Sequence, residues 1–175
     1  LKLMLPAALG SAIVQVNLII DSIVASLLVV GSISWLYYSD RLVEFPLAIL
    51  GIAIATVALP TLSRKFSLGQ IDDFKKVLFR ALRIVTILSI PAMIGIMVLA
   101  EQLLYSLFQY GSFDNYDVSM SKLSLLAYSL GLPAFILMKV LLTGFFSRHD
   151  TATPVKFGII AISFNIIFNT IVVIA

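Results

Sequence analysis

The 175-residue chain is 61% apolar and only 12% charged, and its mean hydropathy is +1.09. A typical soluble domain is about half apolar and about a quarter charged, so this composition excludes an ordinary soluble protein and indicates a membrane protein. The net charge of +3 is not a nucleic-acid signal, and the lack of cysteine excludes disulfides and thiolate metal sites.

Five uncharged runs predict an all-α, polytopic membrane helix bundle. Each run approaches or reaches the roughly 17 to 25 residues that a helix needs to cross a bilayer. With their flanks, the runs predict helices over about residues 5–30, 35–62, 77–100, 121–146 and 154–175, and an amphipathic cytoplasmic segment over about 64–76. The chain begins with leucine and its last run carries no flanking charge, so we expect it to be part of a longer protein.

Basic residues predict which loops face the cytoplasm, since loops rich in Lys and Arg stay on that side. Lys2, the interval 64–83 and the turn 148–156 carry most of the basic residues and alternate along the chain with the loops at 31–34 and 101–121. The latter two loops are therefore predicted to face outward. Aromatic residues lie at these outward ends, as in an interfacial belt: Trp35, Tyr37, Tyr38, Tyr105, Tyr110 and Tyr116.

The stretch "SWLYYSDRLVEFP" at residues 34–46 places Asp40, Arg41 and Glu44 inside the second predicted helix. At about 1.5 Å per residue, Arg41 lies roughly 10 Å below the outer end of that helix. Residues three and four apart share a helix face, which favours a local ion pair or network. Three charges facing lipid would each cost several kcal/mol, so we predict that they line a water-filled cavity beside a kink at Pro46. The alternative is that Arg41 only neutralises the two acids.

Two further sets of polar residues lie inside predicted helices. Lys139, in the cytoplasmic half of the fourth predicted helix, is a further charge inside the membrane and a candidate functional residue, or alternatively a lysine that extends its amine toward the cytoplasmic interface. Asp21 is predicted at a depth similar to that of Asn165 and Asn169. One carboxylate with neutral oxygens suits a coupling ion such as sodium, and a lone Asp could equally carry a proton. The alternative for the asparagines is hydrogen bonding between helices.

Four motifs of the sequence carry a family resemblance: "PAALGSAIVQVNLIIDSIVAS", "GSISWLYYSDRLVEFPLAILGIAIATVALPTLSR", "LFQYGSF" and "AYSLGLPAFILMKVLLTGFFSRHDTATPVK". Together they resemble the MurJ (MviN) family, the bacterial lipid II flippases. The resemblance implies a two-lobed, fourteen-helix transporter of the multidrug/oligosaccharidyl-lipid/polysaccharide exporter (MOP) superfamily, with residues 1–175 as the first five helices of the C-terminal lobe. It also implies transfer of lipid II, an undecaprenyl-pyrophosphate-linked peptidoglycan precursor, across the bacterial inner membrane by alternating access.

Residue by residue, the resemblance assigns Arg41 to the arginine of the family motif "YYxDRLxEFP", which lines the central cavity. Asp40 and Glu44 match the acids of that motif. With a pyrophosphate as the implied cargo, we expect Arg41 to engage it and Glu44 to orient it, with Lys139 as a second candidate contact. The implied partners are lipid II, membrane lipid and the N-terminal lobe, and the only expected cofactor is a coupling ion. No enzyme activity is expected, because the chain has no phosphate-binding glycine loop, and His149 has no second histidine or cysteine for a metal site or nucleophilic dyad.

Two alternative functions stay open from the sequence. A transporter of the same superfamily could carry drugs or other lipid-linked sugars, and a carrier of cationic drugs would need acids where a pyrophosphate carrier needs arginines. A membrane scaffold without transport activity would use its polar residues only to hold helices together. That alternative predicts that Arg41 is dispensable once Asp40 and Glu44 are neutralised with it.

Overall fold

The computed structural model describes residues 15–16, 18–27, 29–111 and 113–174, with side chains to residue 168. The described part contains helices and turns and no strand, which confirms the all-α prediction. It divides into a larger compact unit, Ser34–Ser147, and a smaller unit made of the described residues before Ser34 and after Ser147. The elements are α1 (18–26), α2 (Ser32–Pro46), a π-helical segment (Leu47–Ile52), α3 (Ala53–Ser67), α4 (Ile71–Phe108), α5 (Asn115–Phe146) and α6 (Ala152–Ile174).

Three helices of the described part are long and apolar enough to cross a membrane. They are the continuous helix Ser32–Ser67, which joins α2, the π-helical segment and α3, and the helices Ile71–Phe108 and Asn115–Phe146. The stretch Ala152–Phe168 of α6 forms a shorter apolar helix. Nearly half of the first predicted span, over 5–30, lies outside the described residues.

Pro46 was predicted to kink the second helix, and the structure places a π-helical segment directly after it. Proline has no backbone N–H and cannot donate to the carbonyl of Leu42, so the regular α-helical ladder is interrupted at this point. π-Helical turns are rare and often lie at functional sites. Gly51 in this segment is buried against α5, where its missing Cβ would lie 3.5 Å from Cβ of Lys139.

The predicted amphipathic segment 64–76 is not a separate element. Its first residues end α3 and its last residues begin α4, with a tight turn between them at Gly69, whose φ is +69°. Phe74 in the first turn of α4 is buried and packs with Ala58 and Leu62 of α3. Because this apolar contact holds the two helix ends together, the segment forms the tip of a helical hairpin.

The outward connection is also shorter than the predicted loop 101–121. Helix α4 continues to Phe108, and α5 already begins at Asn115. The early start follows from a capping box, in which the Asp114 carboxylate accepts from the backbone N–H groups of Tyr116 and Asp117 while Asp117 accepts from the N–H of Asp114.

Small polar side chains allow close packing within the larger unit. The single O–H of Ser39 in α2 is shared between two carbonyl oxygens, that of Ser121 in α5 at 2.9 Å and that of Trp35 at 2.8 Å. Small residues and interhelical hydrogen bonds of this kind are typical of helix contacts in membranes. Fully buried apolar side chains of α4 and α5 form most of the core: Val85, Leu104, Leu125, Leu132 and Ile136.

Asp150 supports the first turn of α6. Its carboxylate accepts from the backbone N–H of Thr153 at 3.0 Å and from the Thr153 hydroxyl at 2.7 Å. These hydrogen bonds stabilise the ionised form and hold the pKa of the Asp150 carboxyl below its ordinary value. The start of α6 is therefore held by an ionised cap at neutral pH.

Candidate functional site

The charges of the stretch 34–46 lie on the exposed face of α2. Residues at i, i+4 and i+7 of a helix share one face, and we call the set Tyr37, Arg41 and Glu44 the charged face. The opposite side of α2 is buried, with Trp35, Ser39 and Val43 facing the core of the larger unit. The helix is therefore amphipathic inside an apolar span, and its polar side points away from the unit's own core.

Arg41 is held from two sides on this face. Its Nη1 donates to Glu44 Oε2 at 2.8 Å, so the ion pair predicted from the three-residue spacing is present. Its guanidinium carbon lies 5.0 Å from the centre of the Tyr37 ring, within range of a cation–π interaction. A guanidinium has five N–H donors, and the contacts with Glu44 and with the hydroxyl of Tyr37 leave others for an incoming anion. Both side chains of the pair are 54% exposed.

Asp40 lies outside this pair. Its side chain is exposed, and no basic group among the described residues lies within ion-pair distance of its carboxylate. Of the three charges, Arg41 and Glu44 thus form an ion pair, and Asp40 is a neighbouring carboxylate outside it. One base and two acids leave a local excess of one negative charge on α2.

Lys139 occupies a different place in the larger unit. It borders a mainly apolar groove of about 280 Å³, and no carboxylate of the described part pairs with its ammonium. Its neighbour Gly51 follows Arg41 by ten residues, which corresponds to about 15 Å along the helix. The structure therefore does not bring Lys139 to the charged face. The groove is lined by Gly51, Ile52, Ala55, Thr56, Leu59, Lys139, Leu142, Thr143 and Phe146.

The candidate coupling residues belong to the smaller unit. Asp21 in α1 and Asn165 in α6 are both half-buried, and the side chain of Asn169 lies outside the described residues. Among the described residues, no cluster of three or more His, Cys, Asp or Glu side chains could hold a metal ion. His149 is exposed in the turn before α6.

The interhelical ion pair between Glu101 and Lys122 was missed from the sequence. Lys122 Nζ lies 2.7 Å from Glu101 Oε2 and links α5 to α4. Both residues were predicted to lie at the loop, but each is seven residues, or about 10 Å, inside its helix. The capping box at Asp114 was the available signal, since it sets the start of α5 at Asn115.

Taken together, the long apolar helices and the charged face inside one of them define a multi-pass α-helical membrane protein. The chain matches the family model described as "Lipid II flippase MurJ" over residues 1–175. It belongs to the MurJ family.

Curated relatives agree with this family. The chain is 56% identical over 169 residues to the "Probable lipid II flippase MurJ" of Vibrio cholerae serotype O1, a match that covers 97% of the chain and 32% of the relative. It is 47% identical over 178 residues to the "Probable lipid II flippase MurJ" of Haemophilus influenzae (98% and 35%). It is 38% identical over 156 residues to the "Lipid II flippase MurJ" of Burkholderia cenocepacia (89% and 30%). The chain thus spans about a third of the length of these relatives.

Proposed function

We propose that the parent protein of this chain flips lipid II from the cytoplasmic to the outer leaflet of the bacterial cytoplasmic membrane by alternating access, as a transporter and not as an enzyme. The observation that carries the proposal is the family match over residues 1–175. The chain would supply the first part of the C-terminal lobe, and the N-terminal lobe would complete the transport path.

In this proposal Arg41 binds the pyrophosphate of the substrate. A pyrophosphate diester carries two negative charges, and the planar guanidinium can contact two of its oxygens at once, which an ammonium cannot. The exposure of Arg41 and its unused N–H donors support this role. Basic residues of the N-terminal lobe would share the charge of the anion.

The acids beside Arg41 would keep the anion from binding too tightly. Glu44 holds one side of the guanidinium and orients the rest of it, and Asp40 adds a negative charge close by. Repulsion from these carboxylates weakens the complex, which suits a carrier that must release its cargo. Lys139, about 15 Å farther toward the cytoplasmic end, would be a second contact for the anion on its route.

Coupling to an ion gradient is a separate part of the proposal. Asp21, with Asn165 and Asn169, would bind sodium, or Asp21 alone would carry a proton. We expect Asp21→Asn in the full-length protein to abolish the response of transport to the gradient that drives the unmodified protein. The measurement is flipping in proteoliposomes under sodium or pH gradients. Asp72→Asn is the control, because Asp72 is an exposed carboxylate at the tip of the α3–α4 hairpin. If Asp21→Asn responded to the gradient as the unmodified protein does, the coupling role of Asp21 would be wrong.

The function itself is tested with the full-length protein in proteoliposomes that contain lipid II. We expect the headgroup to become accessible on the opposite face of the bilayer when the protein is present, and the same gene to restore growth in cells depleted of their own flippase. Growth without lipid II transfer, or transfer of cationic drugs in its place, would favour another exporter of the superfamily. The charged face supports lipid II, because Arg41 offers a cation to an anionic headgroup.

A further inference from the structure

A chain of aromatic rings connects the α4–α5 junction to Arg41. The ring of Tyr38 lies 4.6 Å from that of Phe108 at the end of α4 and 5.0 Å from that of Phe113 in the connection. The rings of Tyr38 and Tyr37 meet edge to face at 5.7 Å. Tyr37 in turn lies 5.0 Å from the guanidinium carbon of Arg41. All these residues belong to the larger unit, so the contacts describe one compact body.

The two tyrosines differ in their surroundings. Tyr38 is half-buried and packs against two phenylalanines from outside α2, so its ring has little room to change rotamer. Tyr37 is 53% exposed, and its ring is supported by Tyr38 on one side and Arg41 on the other. The exposed ring of Tyr37 is thus supported by the half-buried ring of Tyr38, which itself packs on Phe108 and Phe113.

Arginine loses much rotamer freedom when it binds a ligand, and this loss weakens binding unless the side chain is already ordered. On the charged face, Arg41 lies between Tyr37 one turn before it and Glu44 one turn after it. The ion pair fixes one nitrogen of the guanidinium, and the ring of Tyr37 restricts the plane in which the rest can lie. A guanidinium held in this way presents its remaining donors in a fixed direction.

We infer that Tyr37 is a positioning residue for the anion-binding arginine, and that Tyr38 transmits the support of Phe108 and Phe113 to it. The inference rests on the proposed function, in which Arg41 binds the pyrophosphate. Tyr37 need not touch the substrate. It acts by ordering Arg41, so its effect on affinity must disappear when Arg41 is absent.

The test is a double-mutant cycle in the full-length protein, with a short-chain isoprenoid pyrophosphate disaccharide as the probe and its dissociation constant as the readout. We expect Tyr37→Leu and Tyr37→Met to weaken binding about tenfold, since each removes both the ring and the hydroxyl that interacts with the guanidinium. Tyr37→Phe keeps the ring alone and is expected to weaken binding by about threefold or less. In the Arg41→Ala background, Tyr37→Leu is expected to have no further effect. Thermal midpoints of all variants identify any that lose affinity through unfolding.

The possible outcomes distinguish the positioning role of Tyr37 from the substrate-binding role of Arg41 on which it rests. If Arg41→Ala binds the probe as well as the unmodified protein, both the role of Arg41 and the inference are wrong. If Arg41→Ala weakens binding but both ring-deleting variants do not, only the positioning role is wrong. An equal penalty for Tyr37→Leu with and without Arg41 would also overturn it, because that result means direct substrate contact or general damage to the fold.

Discussion

Arg41→Ala and Arg41→Lys in the full-length protein are both expected to abolish growth rescue in cells depleted of their own flippase. Alanine removes the cation, and lysine keeps the charge but loses the planar pair of donors that matches two phosphate oxygens. We expect substrate binding to fall about a hundredfold with alanine, as for the loss of two charge-assisted hydrogen bonds. Growth under depletion measures the loss of function in cells, and flipping in proteoliposomes measures the loss of transport by the purified protein.

The triple neutralisation of Asp40, Arg41 and Glu44 distinguishes binding from charge balance. If Arg41 binds a travelling anion, removing the two acids as well does not restore growth. Restored growth with the triple variant would mean that the three charges only neutralise one another inside the bundle. Arg80→Ala is the matched control, because this arginine is exposed in the first half of α4, away from the charged face, and is expected to support normal growth.

The ion pair of α2 could be predicted from the sequence, because it depends only on the spacing of charged residues along one helix and on the cost of placing charges in lipid. Three-residue spacing predicts the Arg41–Glu44 pair, and the structure contains it. The same spacing rule could not show that Asp40 stays outside the pair. Which carboxylate pairs with a flexible arginine depends on rotamers, and here the ring of Tyr37 also lies against the guanidinium.

Helix ends were predicted less well than helix existence. The helix predicted to end at 100 continues to Phe108, and the helix predicted to begin at about 121 already begins at Asn115, because charges such as Glu101 and Lys122 ordinarily indicate a loop. In the structure each of these charges finds a partner on the neighbouring helix, and the pair can lie about 10 Å within the span. Likewise the hairpin at Gly69 depends on Phe74 packing on Leu62, a tertiary contact that hydropathy does not contain.

The surroundings of Lys139 could not be predicted from the sequence. It was predicted as a second candidate substrate contact, in the cytoplasmic half of its helix and away from Arg41. The structure places it beside Gly51, in a groove whose lining combines the π-helical segment, α3 and α5. Sequence periodicity assumes a regular α-helix, so the change of register in a π-helical segment could not be predicted from it.

Trp35→Ala is expected to lower the free energy of unfolding of the full-length protein by about 3 to 5 kcal/mol, the usual cost of deleting a buried aromatic ring. Trp35 is 7% exposed, and its indole N–H donates to Asp117 Oδ1 at 2.7 Å. Its ring also meets that of Tyr116 edge to face at 5.8 Å. These contacts hold the start of α2 to the start of α5, so the loss of the ring removes both packing and a hydrogen bond.

Trp35→Phe separates those two contributions, because phenylalanine keeps much of the ring and lacks the N–H. We expect it to cost about 1 to 3 kcal/mol, since Asp117 then keeps the N–H of Asp114 but loses the indole donor. Unfolding midpoints in detergent measure both variants, with Tyr110→Ala as the control at an exposed aromatic of the same end of the bundle. If Trp35→Phe matched the unmodified protein, the stability would come from packing alone, and the Trp35–Asp117 hydrogen bond would not be what joins α2 to α5.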